Sequence, residues 1–406
     1  MKKAIAMVLT ASMAVASLAG CGSSSSKTST TSSVVTETGS GAAAATSGTA
    51  AATGNSDMKV AMITDYGDIT DQSFNQTTYE ACKAFCKDNS LEFTYYKPDG
   101  NNDSDREAMV DKAVSDGYNV IVMPGYAFAQ CLVDESPMYP DVKFIALDVS
   151  QDDIDGAENA DSYTGDNVYC AIYQEQIPGY MAGYAAVKMG YKKLGFLGGM
   201  AVPAVQRYGY GFVQGADEAA KELNETDVEV KYVYGNAFQG NASITATMDT
   251  WYSTGTQVVF ACGGGIWTSA AEAAAKYSGK IIGVDVDQKG IIDGQYGDGM
   301  TITSAMKGLA ATVNTLLAAV RDGKWDQYKG QIQNLGLVSG TDMDQNYVGL
   351  AEDSTVWTDG FTDDNYKTLV GQLFDGTLKV SDDTTKSASD FATVITVDDQ
   401  GTLSGS

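Results

Sequence analysis

Residues 64–76 read TDYGDITDQSFNQ and join two patterns of different kind. Before them, residues 59–64, KVAMIT, form a short aliphatic run suited to a strand buried on both faces. After them, residues 74–88, FNQTTYEACKAFCKD, follow a helical pattern. A strand that opens through a polar loop onto a helix N-terminus is the unit of an open α/β sheet. Ligands of such sheets bind outside the carboxyl ends of the strands. The loop carries three carboxylates (Asp65, Asp68, Asp71), an amide (Asn75), two aromatics (Tyr66, Phe74) and Gly67. A small polar aromatic ligand would use these groups. A plain helix cap by Asp71 or Ser73 would also account for the loop's polarity.

The same unit repeats along the chain. Aliphatic runs at 91–97, 119–125, 143–148 and 167–173 alternate with helical patterns near 73–88, 104–115 and 127–134. A helix with small residues on one face follows at 180–190. The plan then restarts, with strands at 192–199, 228–235, 257–264 and 280–286 and helices near 205–223, 242–252 and 268–277. Residues 143–148, KFIALD, and 280–285, KIIGVD, echo one another, each ending in an aspartate. The repetition predicts two α/β lobes facing each other across a cleft, with Asp148 and Asp285 on opposite rims.

The expected boundaries are 58–173 for the first lobe, 174–306 for the second and 307–382 for return segments shared between them. A strand ending near Lys307 and a helix to about Asp322 open that last part. The polar tail, 383–406, is expected to be loosely ordered.

The N-terminus has another character. Residues 1–20 combine Lys2 and Lys3 with a short apolar run, as a secretory signal does. They end in Leu18-Ala19-Gly20 before Cys21, which resembles a bacterial lipobox and implies lipidation at Cys21. The following residues to 57 are almost wholly Ser, Thr, Gly and Ala, a tether of roughly 30–36 Å root-mean-square span. The other five cysteines, Cys82, Cys86, Cys131, Cys170 and Cys262, have no metal or redox spacing and suit apolar filling.

The 406 residues carry a formal charge of −26 and no histidine. Such acidity disfavours nucleic acid, which needs a basic surface. The missing imidazole removes Ser-His-Asp and Cys-His catalysis and the commonest metal ligand. Arg207 could suggest a phosphate clamp, but no G-x-x-x-x-G-K-S/T loop accompanies it. The run Gly263-Gly264-Gly265 lacks the spacing of a dinucleotide loop and is equally explained by close strand-to-helix packing.

Several motifs in order resemble the basic membrane protein family, the purine-nucleoside receptor lipoproteins that serve ABC importers. They are D-x-G-x-x-x-D-x-S-F-N-Q at 65–76, the strand ending in Asp148, and G-G…R-x-G-x-G-F-x-x-G at 198–215. G-V-D at 283–285 and T-S-A-M-K at 303–307 complete them, and the likeness spans about 59–376. The resemblance implies an α/β chain of the type I periplasmic-binding-protein fold, two Rossmann-like lobes with three crossovers around a central cleft. It implies a nucleoside between them, with Phe74 and Phe238 stacking on the base and Asn75 and Asp148 at the base edge. Asp285 and Lys307 would hold the ribose, with Lys307 also neutralising Asp285. Asp65 and Gly264 would line the pocket, and Tyr66 would add an aromatic wall. Around Phe238 the sequence GNAFQGN lacks the acid of the family's Phe-x-Asp pattern.

The implied partners are an ABC permease and its ATPase subunits, with membrane attachment through the lipid on the extracytoplasmic face. A monomer is expected, with no cofactor, no metal and no catalysis. Nucleosides are expected to bind and nucleotides are not. A pentose or other small polar metabolite in the same scaffold, or a sensor or adhesin role, is the alternative.

Overall fold

The computed structural model describes residues 57–404. The signal, Cys21 and nearly all of the tether lie outside the described residues. The described residues belong to one compact unit.

The first sheet begins with β1 (Lys59–Ile63), β2 (Glu92–Tyr96), β3 (Val120–Pro124), β4 (Lys143–Leu147) and β5 (Val168–Tyr173). Its connections run through α1 (Phe74–Asp88), α2 (Asp103–Ser115), α3 (Ala129–Met138) and α4 (Gln151–Asp155). The chain then crosses at Gln174 and Glu175 into α5 (Gln176–Lys188) and the second sheet. That sheet holds β6 (Lys193–Gly198), β7 (Glu229–Tyr234), β8 (Val258–Cys262), β9 (Lys280–Asp285) and β10 (Thr301–Lys307). Its helices are α6 (Pro203–Leu223), α7 (Ala242–Ser253), α8 (Trp267–Tyr277) and α9 (Lys289–Tyr296).

A second crossover at Gly308 leads to α10 (Leu309–Arg321), which packs against α1, and to β11 (Gln331–Leu335). A third leads to β12 (Val348–Leu350), followed by α11 (Asp363–Phe374) and β13 (Thr396–Thr402). The strand orders are β11-β5-β4-β3-β1-β2 and β12-β10-β9-β8-β6-β7-β13. All neighbours are parallel except β12 on β10. The last strands thereby find their sheets, an assignment that the sequence leaves open. The three crossovers lie together: Gln174 N donates to Leu335 O at 2.9 Å and Gly308 N to Tyr347 O at 2.7 Å.

β3 and β8 are buried on both faces, as their aliphatic runs require. Gly211 and Gly215 of the G-x-G-F-x-x-G motif allow α6 to touch α5 backbone to backbone, while Gly209 makes room for Tyr232 and Phe196. A Cβ on Gly215 would stand 2.0 Å from Tyr180 O, and one on Gly183 of α5 2.0 Å from Phe212 O. The motif is thus a packing device between the lobes' connecting helices. One buried cluster runs continuously from the first sheet through α5 and α6 into the second.

One element goes unread in the sequence and one expectation needs correction. α9 escapes the sequence reading because Gly290 and Gly294 interrupt its helical signal. The tail is ordered: β13 pairs in parallel with β7 at the edge of the second sheet. Asp217 of α6 anchors it, accepting Thr393 N at 2.7 Å and Val394 N at 2.8 Å, while Phe391 packs on Tyr210. A polar sequence suffices there because β13 is an exposed edge strand.

Candidate functional site

The carboxyl ends of the two sheets face one another across a cleft. Its lining includes all nine residues singled out from the sequence: Asp65, Tyr66, Phe74, Asn75, Asp148, Phe238, Gly264, Asp285 and Lys307.

The loop after β1 is shaped by its own carboxylates. Asp65 Oδ1 accepts the backbone N–H of Tyr66 at 2.7 Å and of Gly67 at 2.8 Å. Asp71 Oδ1 accepts Ser73 N at 2.9 Å and Gln76 N at 3.1 Å, and Oδ2 accepts Asn75 N at 3.0 Å. Asp71 therefore satisfies the first turn of α1, as the capping alternative supposed. Ser73 makes no cap. Gly67 is required by closeness, since a Cβ there would lie 2.2 Å from Asn75 Nδ2. That Nδ2 donates to Asp71 Oδ2 at 3.3 Å, which leaves the buried Asn75 Oδ1 without a protein partner among the described residues.

Asp148 and Asp285 both follow the aliphatic core of a strand and both adopt left-handed backbone, φ 62° and 65°. Aspartate tolerates that region because its short polar side chain can bond locally. Asp148 Oδ2 accepts Lys307 Nζ at 2.6 Å, while its Oδ1 is buried without a protein partner among the described residues. Asp285 Oδ2 accepts the hydroxyl of Ser73 at 2.5 Å.

Lys307 departs from the expected pairing with Asp285. Its partners are Asp148 and Glu175, the latter with Nζ 2.9 Å from Oε1. Glu175 Oε2 also accepts Arg207 Nε at 2.6 Å. Glu175 gives no sequence signal as a site residue, because it stands alone between a strand and an apolar helix. Position explains the substitution of partners: Glu175 occupies the first crossover and Lys307 ends the strand that enters the second. The ammonium also sits over the rings of Phe74 and Tyr173, at 5.0 and 4.9 Å from their centroids. Arg207 lines the cleft, but its Nε is already engaged by Glu175.

The electrostatics follow from these contacts. Burial and then nearby Glu175 push Asp148 up to about 6, against the pull of Lys307 and Arg207. Burial likewise raises Asp285, opposed by Lys307 and the Ser73 hydroxyl. Burial acts upward on Glu175 too, but Arg207 and Lys307 together outweigh it and hold it below its ordinary value. For Lys307 burial is outweighed by Asp148, Glu175 and Asp285, so the ammonium stays charged.

The aromatics are placed less simply. Tyr66 leans across to the second lobe, its ring 6.3 Å from that of Phe238 and its hydroxyl 3.3 Å from Met200 Sδ. Phe238 fits because glycines surround it: a Cβ on Gly199 would lie 2.4 Å from its ring, and one on Gly263 2.9 Å. Gly264, at φ 51°, would place a Cβ 2.7 Å from Phe238 O. The glycine run therefore seats Phe238 rather than a dinucleotide. Among the described residues no cluster of metal-ligating side chains occurs, and no helix is long and apolar enough to cross a membrane.

Residues 58–368 match the family described as ABC transporter substrate-binding protein, PnrA-like. The chain belongs to that family of solute-binding proteins. It is 28% identical over 342 residues to the ABC transporter nucleoside-binding protein BmpA of Lactococcus lactis subsp. cremoris, covering 80% of this chain and 86% of that one. It is 27% identical over 315 residues to the CD4+ T-cell-stimulating antigen of Listeria innocua, covering 73% and 81%. Among solved structures, an ABC transporter solute-binding protein from Aeropyrum pernix K1 superposes with a TM-score of 0.60 at 21% identity, covering 82% of this chain and 90% of that one. The fold is the type I periplasmic-binding-protein fold, and the PnrA-like chain is a small-solute receptor of an ABC transporter.

Proposed function

We propose that this receptor captures purine nucleosides in the interlobe cleft and delivers them to an ABC permease and its ATPase, tethered outside the membrane by a lipid on Cys21. The observation that carries the reading is the pair of buried acceptors, Asn75 Oδ1 and Asp148 Oδ1, left without protein donors beside a half-buried phenylalanine, Phe74. Buried acceptors cost free energy unless a ligand supplies donors. A base edge bearing N–H groups does so, while its flat face stacks on Phe74 for ~1–3 kcal/mol. Asp285 and Lys307 remain to hold ribose hydroxyls, since a carboxylate accepts and an ammonium donates. Five carboxylates line the cleft against Lys307 and a Glu175-paired Arg207, which disfavours a phosphate. The nucleoside-binding name of the Lactococcus relative agrees.

The role of each group is binding rather than chemistry. Contacts from both lobes favour the closed arrangement, which the permease would recognise. Calorimetric titration with adenosine, guanosine, inosine, ribose, free bases and nucleoside monophosphates tests this. At least one purine nucleoside should bind much more tightly than ribose, its base or its monophosphate. Ribose binding as tightly as any nucleoside would replace the reading with a pentose receptor.

A further inference from the structure

Three consecutive residues of the β1–α1 loop are gripped from the opposite lobe. Trp267 Nε1 at the start of α8 donates to Asp71 O at 3.3 Å. Gln288 Nε2, just before α9, donates to Gln72 O at 3.0 Å. Ser73 donates to Asp285, as described above. Trp267 and Gln288 do not line the cleft, and they are 2% and 0% exposed.

The geometry on both sides is fixed. Gln72 lies at φ 57°, and its N–H is held by Gln76 Oε1 at 3.1 Å, so its carbonyl direction is set. Gln288 is anchored within its own lobe: Oε1 accepts Val284 N at 2.9 Å and its N–H donates to Ser304 Oγ at 3.1 Å. Its Nε2 is left to point at the other lobe. Both donors reach backbone carbonyls, so the grip needs nothing in the cleft.

We propose that Trp267 and Gln288 form a ligand-independent latch. They are positioning residues that hold the loop bearing Asp65, Tyr66, Phe74 and Asn75 against the second lobe. They set the closed fraction of the empty receptor, and through it the apparent affinity of the cleft. The latch rests on reading the cleft as the solute site, but not on which solute enters.

The test uses ligand-free protein with spin labels at Ala84→Cys and Ala275→Cys, exposed sites on α1 and α8. The cysteines of the described residues are buried and free. Pulsed electron–electron distance measurement should show a compact population in the labelled parent. At pH 8, Trp267→Phe, which keeps a ring, should lower the closed-to-open ratio about fivefold, the effect of one lost hydrogen bond. Gln288→Glu, which keeps the oxygen for Val284 but turns an acceptor on the Gln72 carbonyl, should lower it at least as far. Coincident distributions in parent and variants, or no compact population in the parent, overturn the latch. A shift in the variants without nucleoside binding in calorimetry supports the latch and removes the nucleoside reading instead.

Discussion

The fourth strand of each sheet ends the same way and is used differently. β4 and β9 both run into a left-handed aspartate at the cleft rim, Asp148 and Asp285. Each carboxylate is answered by a donor from the other lobe. Asp148 of the first sheet meets the ammonium of Lys307, which ends β10 of the second, while Asp285 of the second meets the hydroxyl of Ser73 beside α1. One backbone solution thus occurs twice. The facing side chains then made one rim ionic and left the other with a neutral donor.

The largest effect should come from breaking the ionic rim. Lys307→Met keeps the stem but leaves Asp148 unpaired and Glu175 with Arg207 alone. Removing one partner of a buried ion pair typically costs about 3–5 kcal/mol. Denaturant unfolding at pH 8, where Asp148 is ionised, should show a loss of that size, along with loss of solute binding. A loss below about 1 kcal/mol would mean that the ammonium is not what keeps the two carboxylates in place.

A smaller effect should separate the two aspartates themselves. Asparagine tolerates left-handed backbone and still offers an oxygen. At 285 that oxygen can keep the Ser73 hydroxyl, so Asp285→Asn should cost about 1 kcal/mol or less. At 148 burial outweighs the pull of Lys307 on the ionised carboxylate, so the neutral Asp148→Asn should cost nothing or stabilise slightly in thermal or denaturant unfolding at pH 8. Equal losses would show that the rims do not differ in kind. Asp285→Ala should abolish measurable nucleoside binding with the fold retained; unchanged calorimetric affinity would remove Asp285 from the ribose contact.

Much of this was legible in the sequence, for a physical reason. Strand-ending carboxylates and the loop from Asp65 to Asn75 depend on local chain order, which periodicity reveals. The residues placed in the cleft by that reading, and those that the family resemblance added, such as Phe238 and Gly264, all line it. What escaped depends on contacts between distant segments. Glu175 stands 132 positions before Lys307, at the first crossover, and five strands of the second sheet separate the two. The order of the tail depends on Asp217, a helix residue far upstream whose carboxylate collects its N–H groups. Trp267 precedes a helix legible in the sequence and Gln288 lies in a stretch without a helical signal, and neither stands out until the opposite loop is set against it.

The smallest expected effect is also the most selective, because its sign differs between stability and binding. Asp148 is held at about 6 in the fold against an ordinary 3.8. Between those values the folded chain holds a proton that the unfolded chain has released. The stability from this group is therefore fully present below about pH 4 and is lost as pH rises through about 6. Asp65, Asp71 and Asp285 are also raised by burial and add slopes of the same sign. Only the Asp148 share should vanish in Asp148→Asn, whose melting temperature should therefore depend less on pH between 4 and 6. Binding runs the other way. A ligand N–H finds a stronger acceptor in the ionised Oδ1 than in a neutral acid, so nucleoside affinity should weaken a few-fold as pH falls below about 6. If affinity and stability instead fall together on acidification, the unpartnered oxygen of Asp148 is not where the ligand donates.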